Sequence, residues 1–545
     1  MKRFLIAATA MGFLFVGMSA AQTQKATATK VDASKADAVF ESTSPLVAQN
    51  KIDELEFAHW RQMGVLPARL SSDAVFVRRA YLDVIGTLPT AAEAQRFLAD
   101  PDPKKRSRLI DELLERDEFA DYWAMRWSDA LRIKAEFPIE LWPNAAQGYH
   151  HWVRESLHED KPYDQFAREL LTASGSNFLE PTANFYRAMQ DKSPRTIARN
   201  VALTFMGTRA ENWPPEKLDQ MAVFFAHVGY KSTHEWKEEI VFFDPTGEHG
   251  GVKRTAAELA TVSLPRTAVL PDGKRVQLDG EVDPRAIFAD WLTAPENPYF
   301  SRAVVNRVWY WLMGRALTDD VDESGPKAKV ENAAVLEYLQ QELVRSHFDL
   351  KQFYRLILTS ETYQLSSLAQ GDVAKSRAHF ASYAPRRLDA EVLIDAICQV
   401  TGTSEDYTSA IPEPYTYMPE GTRAISLPDG SISSAFLEQF GKPARDTGLQ
   451  SERNNSPTDA QRLHMLNSSH IQKKIQQGPG LQDLLRNAKS SDGLIDSLYL
   501  TILSRIPSAD ERAIAKQRLQ TSGKRDAVTD LAWAMMNSTE FLYRH

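Results

Sequence analysis

Cysteine is nearly missing from this chain: among 545 residues, Cys398 is the single one. One thiol cannot close an intramolecular disulfide or attach a c-type haem through C-x-x-C-H. Nor can it supply the thiolates of an all-cysteine iron–sulfur cluster or a typical structural zinc site. Positive charge is also in deficit, with 64 Lys and Arg against 72 Asp and Glu, a net charge of −8. That balance argues against a nucleic-acid partner, because Lys and Arg are what neutralise phosphates. The sequence has no P-loop, no dinucleotide-binding fingerprint, no G-x-S-x-G elbow and no H-E-x-x-H, so none of those chemistries has local support.

After the first residues there is no apolar run long enough to span a bilayer. The start itself reads as a secretory signal: Lys2 and Arg3, an apolar run from Phe4 to Met18, then the small residues Ser19-Ala20-Ala21. This pattern places cleavage after Ala21. It predicts a periplasmic or secreted mature chain with no stable membrane span. Cleavage removes Lys2 and Arg3 and no acid, taking the charge from −8 to −10.

Residues 22–50 are rich in Ala, Thr, Lys and Ser without apolar periodicity, which reads as a flexible leader. From 51 to 235 the pattern is helical. Ser71-Ser72-Asp73 is placed to cap one helix, and Thr90 with Glu93 has the spacing of a capping box. Phe119, Tyr122, Trp123 and Trp127 recur at helical spacing, which suits a sugar or cofactor grip but fits a heavily buried helix better. Between 236 and 282 the texture turns β-prone: Ile240 to Phe243 is a compact apolar run, and Pro271-Asp272-Gly273-Lys274 reads as a turn between two short strands. Helical periodicity resumes over 283–545, with Gly402 placed as a C-terminal cap. Asp406 to Ser456 is a Pro-, Gly- and Ser-rich stretch of the kind that forms long ordered, often functional loops. The predicted fold is therefore mainly α: two helical domains with a small β element between them.

Several strings together resemble a family. They are FVRRAYLDVIGTLPT at 76–90, KRSRLIDELLERDEFADYWAMRWSDALR at 105–132 and KPYDQFARELL at 161–171. Further along come NPYFSRAVVNRVWYWLMGRAL at 297–317, SHFDLKQFYRLILTSETYQLSS at 346–367, PRRLDAEVLIDAI at 385–397 and SERNNSPTDAQRLHMLNSSHI at 451–471. In this order they resemble the planctomycete cytochrome-associated domain (PSCyt-two) followed by its usual companion (PSD-one), over nearly the whole mature chain. The resemblance implies thiols in two places where this chain has none. Relatives carry a cysteine–histidine motif after a TFMGTR-like string, where this chain has Ala210-Glu211-Asn212-Trp213-Pro214-Pro215. They also carry a cysteine pair just before the ER of a SERNNSP-like string, where this chain has Gly448-Leu449-Gln450-Ser451. The redox role implied by the cytochrome label does not carry over, and no haem is expected.

Candidate chemistry is sparse. Asp320, Asp322, Ser324 and Glu331 follow the order of a calcium loop, although Pro326 and Lys327 fit it poorly and a solvated acidic turn is the plainer reading. His227, His234 and His249 lie near Glu235, Glu238, Glu239 and Glu248, a donor set that suits zinc, but without helical ligand spacing. Arg302, Asn306 and Arg307 are candidate contacts for an anionic ligand; as polar residues on an apolar helix they equally suit satisfying loop carbonyls. Glu235, Glu361, Asp389 and Glu391 are conceivable acids for a glycosidase, a mechanism that needs two carboxyls a set distance apart. Cys398 sits among Ile394, Ile397 and Val400 and reads as a small buried hydrophobe. The leading expectation is a non-catalytic extracytoplasmic binding or assembly protein with a protein or glycan partner. The rival is a hydrolase or metal-dependent enzyme acting on extracellular polysaccharide.

Overall fold

The computed structural model describes residues 39–251 and 265–545. The stretch read as a signal, 1–21, and the one read as a leader, up to residue 38, lie outside the described residues. Residues 39–50, also within the stretch read as leader, are fastened to the body. Ser72 N–H donates to Phe40 O at 2.9 Å, Ser42 N–H to Leu70 O at 2.8 Å and Val47 N–H to the Glu361 carboxylate at 2.6 Å. Backbone pairing of this kind leaves no mark in composition.

Helices start where side chains can satisfy their orphan N–H groups. The Ser72 hydroxyl accepts from Val75 N–H at the head of Asp73–Val84, and Thr90 and Glu93 close a reciprocal capping box on Ala91–Ala99. Gly402, with φ at 68°, ends Ala390–Thr401 in the left-handed region where a Cβ is costly.

The aromatic row is core. Helix Asp117–Ala130 buries Phe119, Tyr122, Trp123 and Trp127. Trp311, from helix Phe300–Met313, lies 5.5 Å from Trp123 and 5.2 Å from Trp127 between ring centroids, and Tyr354 lies 4.2 Å from Trp123. Each buried ring of this size contributes about 2–3 kcal/mol, so the contact is a strong apolar weld between the two helical segments. One contiguous hydrophobic cluster accordingly runs from Ile52 to Phe541. A second, small cluster of Trp60, Val65, Ala68, Leu365 and Ala381 stands apart at the end of helix Lys51–Met63.

Strand Glu239–Phe243 forms as expected but sits in the middle of a three-stranded antiparallel sheet, with Val228–Ser232 on one side and Gly175–Ser176 on the other. The β element thus draws two strands from within 51–235. Val228-Gly229-Tyr230-Lys231-Ser232 offers only two alternating apolar positions, Val228 and Tyr230, with a glycine between them, which is a weak strand signal. Strands Thr267–Val269 and Arg275–Gln277 make the expected hairpin. No helix among the described residues is long and apolar enough to cross a membrane.

Candidate functional site

The seam between the helical segments is filled with paired charge. Asp389, fully buried just ahead of helix Ala390–Thr401, receives Arg126 at 2.5 Å, Asn455 at 2.6 Å and Arg544 at 2.8 Å. Arg453 donates twice to Glu391, at 2.7 and 3.0 Å, and twice to Asp129, at 2.7 and 3.0 Å. Arg445 adds a bond to Asp129 at 2.9 Å. Asp83 accepts from the hydroxyls of Tyr363 and Tyr383 at 2.9 and 2.8 Å. Burial alone would raise the Asp389 carboxyl, but Arg126, Arg544 and Arg453 outweigh it and hold the group far below the usual carboxylate range. Charges taken out of water cost several kcal/mol each unless fully paired, and here the pairing joins residues from the first and last parts of the chain.

Little space is left inside. The gap bounded by Arg126, Asp129, Trp311, Asp322 and Arg453 measures about 10 Å³, barely what one water needs. Larger hollows lie elsewhere: about 590 Å³ beside Asp73, Arg106 and Glu361, and about 400 Å³ between the two helical segments, lined by Glu93, Arg116, Glu118, Asp395, Glu405 and Arg423.

The residues singled out from sequence are mostly engaged with the protein itself. Arg302 donates to the carbonyls of Ser324 and Ala328, Asn306 exchanges bonds with Thr318, and Arg307 meets the carbonyls of Leu203 and Thr204 at 3.0 and 2.8 Å. The calcium-loop set does not converge. Asp320 pairs with Arg209 at 2.7 Å, Asp322 accepts from Gln450 N–H at 2.9 Å, the Ser324 hydroxyl bonds Gly207 O, and Glu331 faces elsewhere. The histidines form no shared ligand set: His227 and His249 both approach Asp244, the buried His227 at its carbonyl at 2.7 Å and His249 at its carboxylate at 3.4 Å, and His234 is exposed. Asp389 and Glu391 are locked into the arginine network; Glu361 accepts from Val47 and Gln49, and Glu235 is exposed. Cys398 is half-buried, with Lys474 Nζ 3.4 Å from its sulfur, and burial pushes its thiol up.

One constellation escaped the sequence reading. His59, Glu331 and His379 bring their ligand-type atoms together, and among the described residues no other group of His, Cys, Asp and Glu does so. His59 Nε2 lies 3.2 Å from His379 Nδ1, His379 Nδ1 is 2.7 Å from Glu331 Oε1, and His59 Nε2 is 3.6 Å from the same oxygen. Burial and the neighbouring His379 lower the His59 pKa. The backbone is fixed at two of the three residues. Glu331 N–H bonds Leu317 O at 2.8 Å, and Trp60 Nε1 bonds His379 O at 2.7 Å. One helical turn inward, Glu56 is fully buried with neither carboxylate oxygen in a well-formed hydrogen bond, although the Asn332 side chain is close enough to pull on it. Burial raises its pKa to about 8, reinforced by the charges of Glu331 and Asp53. No spacing rule links positions 59, 331 and 379; of the three, only Glu331 stands in a sequence motif, and that motif names a different ligand set.

Comparison with family profiles settles the relationship of the chain. Residues 51–220 match PSCyt2, a protein of unknown function (DUF1549), and residues 284–519 match PSD1, a protein of unknown function (DUF1553). The chain belongs to the paired PSCyt2–PSD1 family. No curated protein and no solved structure matches it. In this PSCyt2–PSD1 protein the seam described above joins the two matched segments: Arg126 belongs to the first, Asp389 and Arg453 to the second. The two stretches where the resemblance implied thiols both come near Asp322. Arg209, next to Ala210, lies 3.8 Å from the Asp322 carboxylate, and Gln450 bonds the same group. In this chain a carboxylate and its cationic partners hold that junction.

Proposed function

We propose that this PSCyt2–PSD1 protein is a non-catalytic binding or assembly protein working outside the cytoplasm, with a protein partner. The observation that carries the reading is the filled seam. A polysaccharide hydrolase needs two carboxyls facing each other across room for a sugar ring. At this junction Asp389 and Glu391 are each committed to buried arginines, and the gap beside those arginines is about 10 Å³.

The 406–456 loop supports a docking role. Tyr415 and Tyr417 are 48% and 59% exposed, and the Trp142 ring lies 5.5 Å from that of Tyr415, tilted by 55°. The loop is pinned beneath them: Gln147 donates to Tyr415 O at 3.1 Å, and the Glu136 carboxylate accepts from Ser409 and Ala410, both at 2.9 Å. Tyrosine and tryptophan give rigid contact area at low entropy cost, which is why protein interfaces are enriched in them.

The test compares the mature chain with a Tyr415→Ala, Tyr417→Ala double variant. Both are immobilised against the extracytoplasmic fraction of the source cells, and reducing ends released from polysaccharide are measured in parallel. The reading predicts a saturable protein partner lost in the double variant at unchanged melting temperature, with no sugar released. Reducing ends that rise in proportion to added protein would contradict it.

A further inference from the structure

We infer that His59, Glu331 and His379 form a divalent-metal site of the zinc class, clasping helix Lys51–Met63 onto the C-terminal half of the chain. The argument begins with distances. A tetrahedral ion bound at about 2.0–2.1 Å places neighbouring ligand atoms about 3.3 Å apart. The three edges here are 2.7, 3.2 and 3.6 Å, so the triangle needs only a small adjustment to seat the ion.

Proton counting points the same way. A neutral imidazole carries one proton, on one of its two nitrogens. His379 Nδ1 faces both the Glu331 oxygen and the His59 nitrogen, and a single N–H cannot serve both with good geometry. One cation satisfies all three atoms at once. Two imidazoles and one carboxylate are a donor set that suits zinc and leaves a fourth position for water. Arg315, the nearest fixed cation, lies 3.7 Å from the other Glu331 oxygen and also bonds the Ala378 carbonyl. It therefore orients the carboxylate without occupying the ligand face. The side chains of His59, Glu331 and His379 keep 15%, 18% and 11% exposure, so an ion has a way in.

The position explains what the ion would do. Beside the triad lies the small cluster of Trp60, Val65, Ala68, Leu365 and Ala381, which is separate from the main core. The near end of the helix is held by the main core through Ile52 and by the Asp53 carboxylate, which accepts from Glu361 N–H and Thr362 N–H; its far end rests on this small cluster, where an ion would add most. With one cysteine, the chain has no disulfide available. His59 comes from the helix being held, and Glu331 and His379 come from the segment holding it, so metal affinity becomes docking free energy for that helix.

The experiment uses the full mature chain, stripped with chelator and titrated with zinc sulfate by calorimetry, with bound metal counted by elemental analysis after gel filtration. Cobalt chloride serves as a second probe, since tetrahedral cobalt absorbs in the visible. The expected result is about one zinc per chain, a melting temperature that rises with zinc, and tetrahedral cobalt bands. His379→Gln and Glu331→Gln should each weaken zinc at least tenfold and abolish the melting shift. His464→Gln, at a distant histidine pair, should leave both intact. Circular dichroism checks that each variant is folded; if one is not, the cobalt spectrum of the unmodified chain still decides the matter. Substoichiometric zinc with no cobalt bands in the unmodified chain would overturn the inference and leave a hydrogen-bonded triad only. The proposal for the 406–456 loop does not depend on this result.

Discussion

Replacing Glu56 by glutamine should make the protein more stable at pH 8 than at pH 5 relative to its parent. The carboxyl is fully buried without a well-formed hydrogen bond, and its pKa is raised from 4.5 to about 8. In the unfolded chain it loses its proton near the ordinary glutamate value; in the folded chain it keeps the proton until about pH 8. Between those limits the native state binds the extra proton, so stability falls as pH rises. Its contribution is fully present below about pH 4.5 and lost as pH climbs through about 8. The whole span corresponds to about 5 kcal/mol. For a cooperative unit of this size, with an unfolding entropy on the order of 1 kcal/mol/K, that is about 5 °C of melting temperature. The assay is thermal unfolding of parent and Glu56→Gln at pH 5, 6, 7 and 8 in chelator. The gap between them should open steadily with pH in favour of the variant. A gap that stays constant over that range would show that Glu56 is already ionised in the native state, and the reasoning would fail.

Other outcomes follow from the same contacts. Asp389→Asn leaves Arg126 and Arg544 buried against a neutral amide and should cost about 3–5 kcal/mol, read as a melting shift of a few degrees. Gly441→Ala should destabilise by more than about 1 kcal/mol, because φ there is +93° and the new Cβ would lie 1.9 Å from Asn454 O. Thr90→Ala removes a capping box at an exposed helix start and should cost only about 1 kcal/mol, a useful scale for the larger effects. Denaturant unfolding of each variant under one buffer checks all three.

What could be read from the chain was local. Ser72 and Thr90 announce helix starts, Gly402 a helix end and Pro271–Lys274 a hairpin, because each acts within four residues of itself. The aromatic row on Asp117–Ala130 read correctly as core for the same reason: its spacing fixes a face. The seam was not legible. Arg126, Asp389 and Arg453 are separated by hundreds of residues or by a long loop, and nothing in a lone arginine says which carboxylate it will meet. The metal triad was hidden in the same way. Glu331 attracted notice through its distance from Asp320, whereas its neighbours in space are His59 and His379.

Amide hydrogen exchange across the seam tests the central claim most directly. If the arginine–carboxylate network and the Trp123–Trp311 contact weld the two family segments together, peptides from 117–130 and 389–401 should exchange together, among the slowest in the chain and only through global unfolding. Faster exchange of these two segments than of the helices around them would mean that the junction opens on its own, and a cleft able to admit a substrate would then have to be considered in place of a sealed body.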